Sequence, residues 1–166
     1  KFQYSTFSEK LDVFQPKRGM NQLAAMIDHM NGIKTVGHSK FKDSIMQYKR
    51  VIGSRSMLVL ISDFLVDPKE ISESLFLLGD QDIKVVQVLD RVERNLSMGG
   101  DFKLVDSETK HKLRTFISPR MRAQYQDDLN SHCAKIEDVC NKLGIKYTLV
   151  GTNSPIFESF FNILEG

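Results

Sequence analysis

Alternating and helical patterns of apolar residues divide the chain into predicted strands and helices. Residues 2–7 and 11–14 combine alternating apolar positions with β-forming residues and predict an amino-terminal hairpin. Residues 57–61, Met-Leu-Val-Leu-Ile, are continuously apolar and are followed at once by Ser62 and Asp63. A short apolar run of this kind predicts a strand that is buried on both faces and lies near the middle of a parallel sheet.

Helices are predicted where apolar residues recur three or four positions apart. Asp67 and Ser118 each precede a proline, a combination that marks a helix start, and Glu70 occupies the capping-box position. Ser39 is a further candidate cap. The apolar stripes run between Leu23 and Met30, Phe41 and Val51, Ile71 and Leu78, Met121 and Leu143, and Ile156 and Leu164, with a helical turn at Arg91–Asn95.

The remaining apolar runs predict strands that complete an α/β fold. Ile83–Leu89 follows the apolar run and the helix after it at the spacing of a right-handed βαβ unit, and Ile145–Val150 is the last strand. Phe102–Asp106 and Lys112–Ile117 predict an antiparallel hairpin at a sheet edge. We therefore predict one domain over residues 1–166, with a three-layer, Rossmann-like, mostly parallel sheet, helices on both faces and an antiparallel edge hairpin.

Polar residues end three of the predicted parallel strands, and the topology brings them to one edge of the sheet. They are Ser62 with Asp63, then Asp90, and then Thr152. Asp63, Asp90 and Glu93 are predicted to gather carboxylate oxygens there, and such ligands suit Mg²⁺, Mn²⁺ or Ca²⁺ rather than zinc. The alternative, given equal weight, is that an Asp just past a strand accepts backbone N–H groups and only anchors the loop.

Composition argues against several classes of partner. The chain has 166 residues, 27% of them charged, and a net charge of +2, which is typical of a globular domain and gives no reason to expect a nucleic-acid or membrane-surface partner. The basic residues between Lys34 and Arg55 are interpreted as the solvated side of a helix, with a nucleic-acid docking face as the alternative. Cys133 and Cys140 are predicted to be unbridged thiols in a reducing compartment. The sequence contains no phosphate-loop, dinucleotide-binding or nucleophile-elbow motif.

Several segments then carry a resemblance to a known family. Val59–Phe64 is similar to the strand and acidic loop of von Willebrand factor A-like domains. The segments Gln87–Glu93 and Leu104–Thr109, with Gly100 between them and the stretch Phe7–Gly19 before them, resemble domain-of-unknown-function family fifty-eight, whose members carry such an A-like domain. The resemblance covers essentially the whole chain.

This resemblance implies a metal-ion-dependent adhesion site at the carboxyl edge of the sheet. In A-like domains the site takes a D-x-S-x-S motif from the first strand, a Thr from a second loop and an Asp from a third. Asp63 matches the third, no D-x-S-x-S occurs in the sequence, and the second loop offers Met20 and Asn21. Of these two residues, only Asn21 carries an oxygen suited to a hard cation. The candidate ligands of Mg²⁺ or Mn²⁺ are therefore Asp63 and, secondarily, Asn21.

The missing motif predicts that this chain is a piece of a longer protein and starts after the first strand of the family. The amino-terminal hairpin must then pair directly with the strand at residues 57–61, pair with another chain or leave apolar edges exposed. We expect a homodimer formed by edge pairing or swapping. We expect a cytoplasmic, soluble segment, with any membrane anchor outside it.

Two functions compete on this evidence. The leading hypothesis is a non-enzymatic protein-interaction module that binds its partner at the carboxyl edge around Ser62, Asp63, Asp90, Glu93 and Thr152, with or without a divalent cation. The resemblance implies a MoxR-type AAA+ ATPase as the associate. The alternative is a Mg²⁺-dependent phosphoester hydrolase that uses Asp63, Asp90 and Glu93.

Overall fold

The computed structural model describes residues 3–7, 11–14, 19–33, 40–96, 100–105 and 112–164. The elements in chain order are β1 (Tyr4–Phe7), β2 (Leu11–Phe14), α1 (Met20–Gly32), α2 (Phe41–Val51), β3 (Met57–Ser62), α3 (Pro68–Leu77), β4 (Asp82–Leu89), α4 (Arg91–Asn95), β5 (Gly100–Val105), β6 (Lys112–Ile117), α5 (Pro119–Lys142), β7 (Lys146–Gly151) and α6 (Ile156–Leu164). The predicted Ser39 cap and the Asp106–Thr109 part of the resemblance lie outside the described residues.

A three-stranded parallel sheet forms the centre of the fold, in the order β3-β4-β7. Its register pairs Ser62 with Gln87 and Leu89 with Gly151. Each crossover between neighbouring strands passes through helix, α3 from β3 to β4 and α5 on the way from β4 to β7. The predicted α/β fold with a parallel sheet is confirmed.

The main core lies between one face of this sheet and the helices α2, α3 and α5. Side chains of β3, β4 and all three helices meet there because alternate strand residues point to the same face. Its buried members include Phe41, Ile45, Leu60, Ile71, Leu75, Ile83, Val85, Ile136 and Cys140.

Helix α6 lies on the opposite face of the sheet. Lys84, which neighbours Val85 along β4 and therefore points to the other face, donates from Nζ to the carbonyl oxygen of Leu164 at 3.2 Å. That carbonyl belongs to the last turn of α6, where the helix dipole favours a cation. Helices therefore lie on both faces, as the sequence predicts.

The apolar run at residues 57–61 forms a strand, but the prediction that this strand is central and buried on both faces is wrong. Among the described strands β3 pairs only with β4, and Met57 and Ile61 are 55% and 60% exposed. The central strand is β4, because it pairs on both sides and is buried from Ile83 through Gln87. An apolar run does not distinguish an edge strand from a central one. Pairing of the open edge of β3 with a second copy stays a prediction.

Both predicted hairpins form, each as a two-stranded antiparallel sheet separate from the parallel one. The strands β1 and β2 pair Tyr4 with Phe14, and β5 and β6 pair Gly100 with Ile117. The amino-terminal hairpin is attached to the main core by Phe7, whose ring meets that of Phe41 edge-on at 5.7 Å between centroids. The second hairpin does not extend the edge of the parallel sheet within the described residues.

The predicted helix starts at Asp67 and Ser118 are confirmed. Asp67 accepts a hydrogen bond from the first turn of α3 at 2.8 Å, and Ser118 accepts one from Met121 at 3.2 Å. Glu70 does not close the predicted capping box. Its carboxylate instead accepts the backbone N–H of Lys42 at 3.0 Å, so it caps the neighbouring helix α2.

The predicted apolar stripe of α6 is largely exposed rather than buried. Phe157 and Phe161 are 76% and 60% exposed, whereas Ser159 and Ile163 are half-buried. In α1 the stripe residue Ile27 is likewise 47% exposed. No helix in the described part of the chain is long and apolar enough to cross a membrane.

Candidate functional site

The two acidic residues that follow parallel strands leave the sheet at different heights. β3 ends at Ser62, level with Gln87, whereas β4 continues two residues further to Leu89 before Asp90. Their loops therefore start from different positions along the strand direction. This offset separates the carboxyl edge into an Asp63 loop, residues 62–66, and an Asp90 loop, residues 90–93.

The Asp63 loop is closed by its own polar side chains. The hydroxyl oxygen of Ser62 accepts the N–H of Phe64 at 3.1 Å, and Oδ1 of Asp63 accepts the N–H of Leu65 at 3.2 Å. The hydroxyl of Ser62 also lies 3.3 Å from Oδ1 of Asp63. The predicted alternative, an Asp that anchors its own loop, is therefore present in the structure.

Phe64 turns this loop so that its neighbours face outward. It has a φ of 50°, in the left-handed region that is uncommon for a residue other than glycine. Its side chain is 1% exposed and meets the ring of Phe41 edge-on at 5.6 Å. The residues on either side of it, Asp63 and Leu65, are exposed.

A buried amide supports the loop from below. Gln87, on the central strand β4, is fully buried, and its Nε2 donates to the carbonyl oxygen of Asp63 at 2.7 Å. The hydroxyl of Tyr147, on β7, donates to Oε1 of Gln87 at 2.6 Å. Burial is the main cause that raises the pKa of Tyr147 and of the Cys133 thiol hydrogen-bonded to it. This network is therefore neutral at physiological pH.

An imidazole on α5 supports the same loop from the side. Nε2 of His132 lies 2.8 Å from the carbonyl oxygen of Phe64. Because a carbonyl oxygen only accepts, the geometry assigns the proton to Nε2. His132 is half-buried, and the bond joins a helix to a strand end 68 residues earlier in the chain.

The Asp90 loop has a different organisation, because its carboxylates cap a helix. Oδ1 of Asp90 accepts the N–H of Val92 at 2.8 Å, and Oε2 of Glu93 accepts the N–H of Asp90 at 2.8 Å, which completes a capping box for α4. Oδ2 of Asp90 accepts the hydroxyl of Thr152 at 2.7 Å. The bond from Thr152, followed by that from the N–H of Val92, holds the pKa of Asp90 below its usual value near 3.8.

The structure thus brings the predicted site residues together in two groups. Asp90, Glu93 and Thr152 form one, Ser62 and Asp63 form the other, and no described hydrogen bond joins them. Asn21, the secondary metal candidate, lies on the first turn of α1 with no described contact to either group.

The described residues offer few protein ligands to a divalent cation. No group of three or more His, Cys, Asp or Glu side chains there could hold a metal ion. At the Asp63 loop, the described side chains supply one carboxylate and one hydroxyl. A Mg²⁺ or Ca²⁺ ion takes six or more oxygen ligands.

Sequence reasoning missed the side chains that hold the Asp63 loop, namely Gln87, Tyr147 and His132. Gln87 carried a readable signal, because it is the polar residue in the middle of a buried apolar strand. A buried amide is costly unless it is hydrogen-bonded, so its position indicates a partner. His132 carried no such signal, since its spacing in α5 suits core packing.

Comparison with known proteins gives one match. The family described as a protein of unknown function, DUF58, matches residues 4–135. Searches of curated proteins and of solved structures found no match.

Proposed function

The chain belongs to the DUF58 family, and from this premise we propose that it is a non-enzymatic protein-interaction module whose partner binds at the carboxyl edge of the parallel sheet, around Asp63. The finer relationship to von Willebrand factor A-like domains is part of the proposal. It is supported by the parallel sheet and by an acidic loop directly after β3.

The observation that carries the proposal is the presentation of Asp63. One carboxylate oxygen, Oδ1, closes the loop, while no hydrogen bond is described for Oδ2. The side chain is exposed, and Leu65 beside it is 49% exposed. A fixed negative charge next to an exposed apolar group fits a partner that offers a basic side chain beside an apolar one.

A direct contact is better supported than one through Mg²⁺ or Mn²⁺. The described residues group no three His, Cys, Asp or Glu side chains around a common point, so we propose that any adhesion-type site in this chain is degenerate. The hydrolase hypothesis is less well supported, since the carboxylates of Asp90 and Glu93 are engaged in capping α4.

The first partner to test is a purified MoxR-type AAA+ ATPase, which the family resemblance suggests. We would titrate it into the wild-type protein and into Asp63→Asn by calorimetry, with and without Mg²⁺ or Mn²⁺. Asp63→Asn keeps an oxygen for the N–H of Leu65 and removes only the charge. We expect affinity to fall about tenfold or more, as for the loss of a charge pair at an interface.

The matched control is Asp80→Asn, which removes an exposed carboxylate just before β4, at the opposite end of the sheet. It should bind like the wild type. Equal binding by Asp63→Asn and the wild type would reject Asp63 as the contact. A dependence on Mg²⁺ or Mn²⁺ that disappears in Asp63→Asn would reject the direct contact in favour of a cation.

A further inference from the structure

The conformation of the Asp63 loop is held by two carbonyl contacts from outside it. The carbonyl oxygen of Asp63 accepts from Gln87 on β4 at 2.7 Å, and that of Phe64 accepts from His132 on α5 at 2.8 Å. Consecutive carbonyl groups are therefore bound by donors from two different elements. The local bonds of Ser62 and Asp63 alone do not specify which way these carbonyls point.

This arrangement requires the burial of a polar amide, that of Gln87. It is fully buried in a strand whose neighbours Val85 and Leu89 are core residues. An amide in that position is destabilising unless each of its polar groups is bonded. Both are, since Nε2 donates to Asp63 and Oε1 accepts from Tyr147. An apolar residue would fill the same core volume without needing these partners, so the amide matters for the loop.

We infer that Gln87 and His132 are positioning residues, which act through the backbone of the Asp63 loop and keep Phe64 in its left-handed conformation. That conformation buries the Phe64 ring and turns Asp63 and Leu65 outward together. The inference concerns the loop itself, while its value for partner binding rests on the proposed function.

The bond from His132 does not depend on its protonation state. Neutral imidazole with the proton on Nε2 donates to the carbonyl of Phe64, and imidazolium donates through the same atom. The requirement at position 132 is therefore a hydrogen-bond donor for the carbonyl of Phe64. Glutamine also supplies such a donor and is a conservative replacement for histidine. This property supplies a rescue experiment.

Amide hydrogen exchange of Phe64 and Leu65, followed by NMR on the protein alone, tests the inference. Both amides are hydrogen-bonded inside the loop, so their protection reports its closure. We expect Gln87→Met, which keeps the volume but loses the donor, to speed their exchange about tenfold. His132→Phe should do the same, and His132→Gln should restore protection.

Gln126→Met is the matched control, because the amide of Gln126 also donates to a backbone carbonyl, that of Asn95 at 3.3 Å, away from the loop. It should leave Phe64 and Leu65 unchanged. Exchange at the wild-type rate in folded Gln87→Met and His132→Phe would overturn the inference, as would failure of His132→Gln to restore what His132→Phe loses.

Binding of the MoxR-type ATPase to the same variants separates this inference from the proposed function. If both hold, Gln87→Met loosens the loop and weakens binding while Asp63 is intact. If the wild type does not bind the ATPase and the loop still loosens, the proposed function fails and the positioning role stands. Normal loop protection in both variants rejects the positioning role regardless of binding.

Discussion

The Asp63 and Asp90 loops follow parallel strands in the same way but use their carboxylates differently. Each places an aspartate directly after a parallel strand, at the edge where sheets of this class bind ligands. Both carboxylate oxygens of Asp90 accept hydrogen bonds, one from the N–H of Val92 and one from the hydroxyl of Thr152. One carboxylate oxygen of Asp63 accepts a hydrogen bond within its own loop, and other side chains hold that loop in place. Position after a strand therefore does not decide whether an acidic residue is structural or available.

The difference follows from what each loop has beneath it. Gln87, which accepts a hydrogen bond from Tyr147, donates to the Asp63 loop from below, and His132 donates to it from the side. The Asp90 loop leads straight into the five-residue helix α4, whose first N–H groups need acceptors. The carboxylates of Asp90 and Glu93 meet that need themselves.

The largest expected effect distinguishes the buried residue Phe64 of the Asp63 loop from its exposed neighbour Leu65. Phe64→Ala should lower the free energy of unfolding by about 3–5 kcal/mol, because the buried ring leaves a cavity. Leu65→Ala should change it by only about 0.5 kcal/mol, since that side chain is half exposed. Denaturant titration of both variants measures this. Similar losses in the two would mean that Leu65 is a core residue and not part of a presented surface.

A smaller effect contrasts the two aspartates directly. Asp90→Ala removes the N-cap acceptor of α4 and the partner of Thr152, so exchange of the Val92 amide should rise about fivefold. Asp63→Asn should leave the melting temperature and the exchange of core amides unchanged. Thermal melts and amide exchange of the two variants provide the measurement. A large loss of stability in Asp63→Asn would make its carboxylate structural, like that of Asp90.

The smallest effect is a pH dependence at the Asp90 loop. Because its folded-state pKa is lowered, Asp90 stabilises the fold above its ordinary value near 3.8, and this contribution is lost as the pH falls through the lower folded-state value. Thr152→Val removes the largest cause and should move the pKa of Asp90 back up toward its usual value. Carboxyl titration by NMR in the two proteins checks this. An unchanged pKa in Thr152→Val would assign the lowering to the capping bonds alone.

Much of this fold could be predicted from the sequence, because its signals are local. The proline starts at Asp67 and Ser118 and the apolar stripes specify helices without reference to the rest of the chain. Strand order is not local, and no pattern within one segment indicates that β4 rather than β3 is the central strand. The burial of Met57 and Ile61 was overestimated for that reason.

The position of the site at the carboxyl edge of the sheet could be predicted, but the contacts between its residues could not. Asp63, Asp90 and Thr152 lie at the carboxyl ends of strands as expected, because parallel topology fixes that edge. Which of them contact each other depends on register and loop conformation. The role of His132 depends on a contact across 68 residues, which one sequence does not reveal.

Three aromatic rings link the Asp63 loop to the start of the chain. Phe7 in β1 meets Phe41 at 5.7 Å, and Phe41 meets Phe64 at 5.6 Å, both edge-on. The rings form a continuous, close-packed column, and such packing transmits displacement rather than absorbing it. The packing of the amino-terminal hairpin is therefore continuous with that of Phe64, ring against ring, with no polar side chain between them.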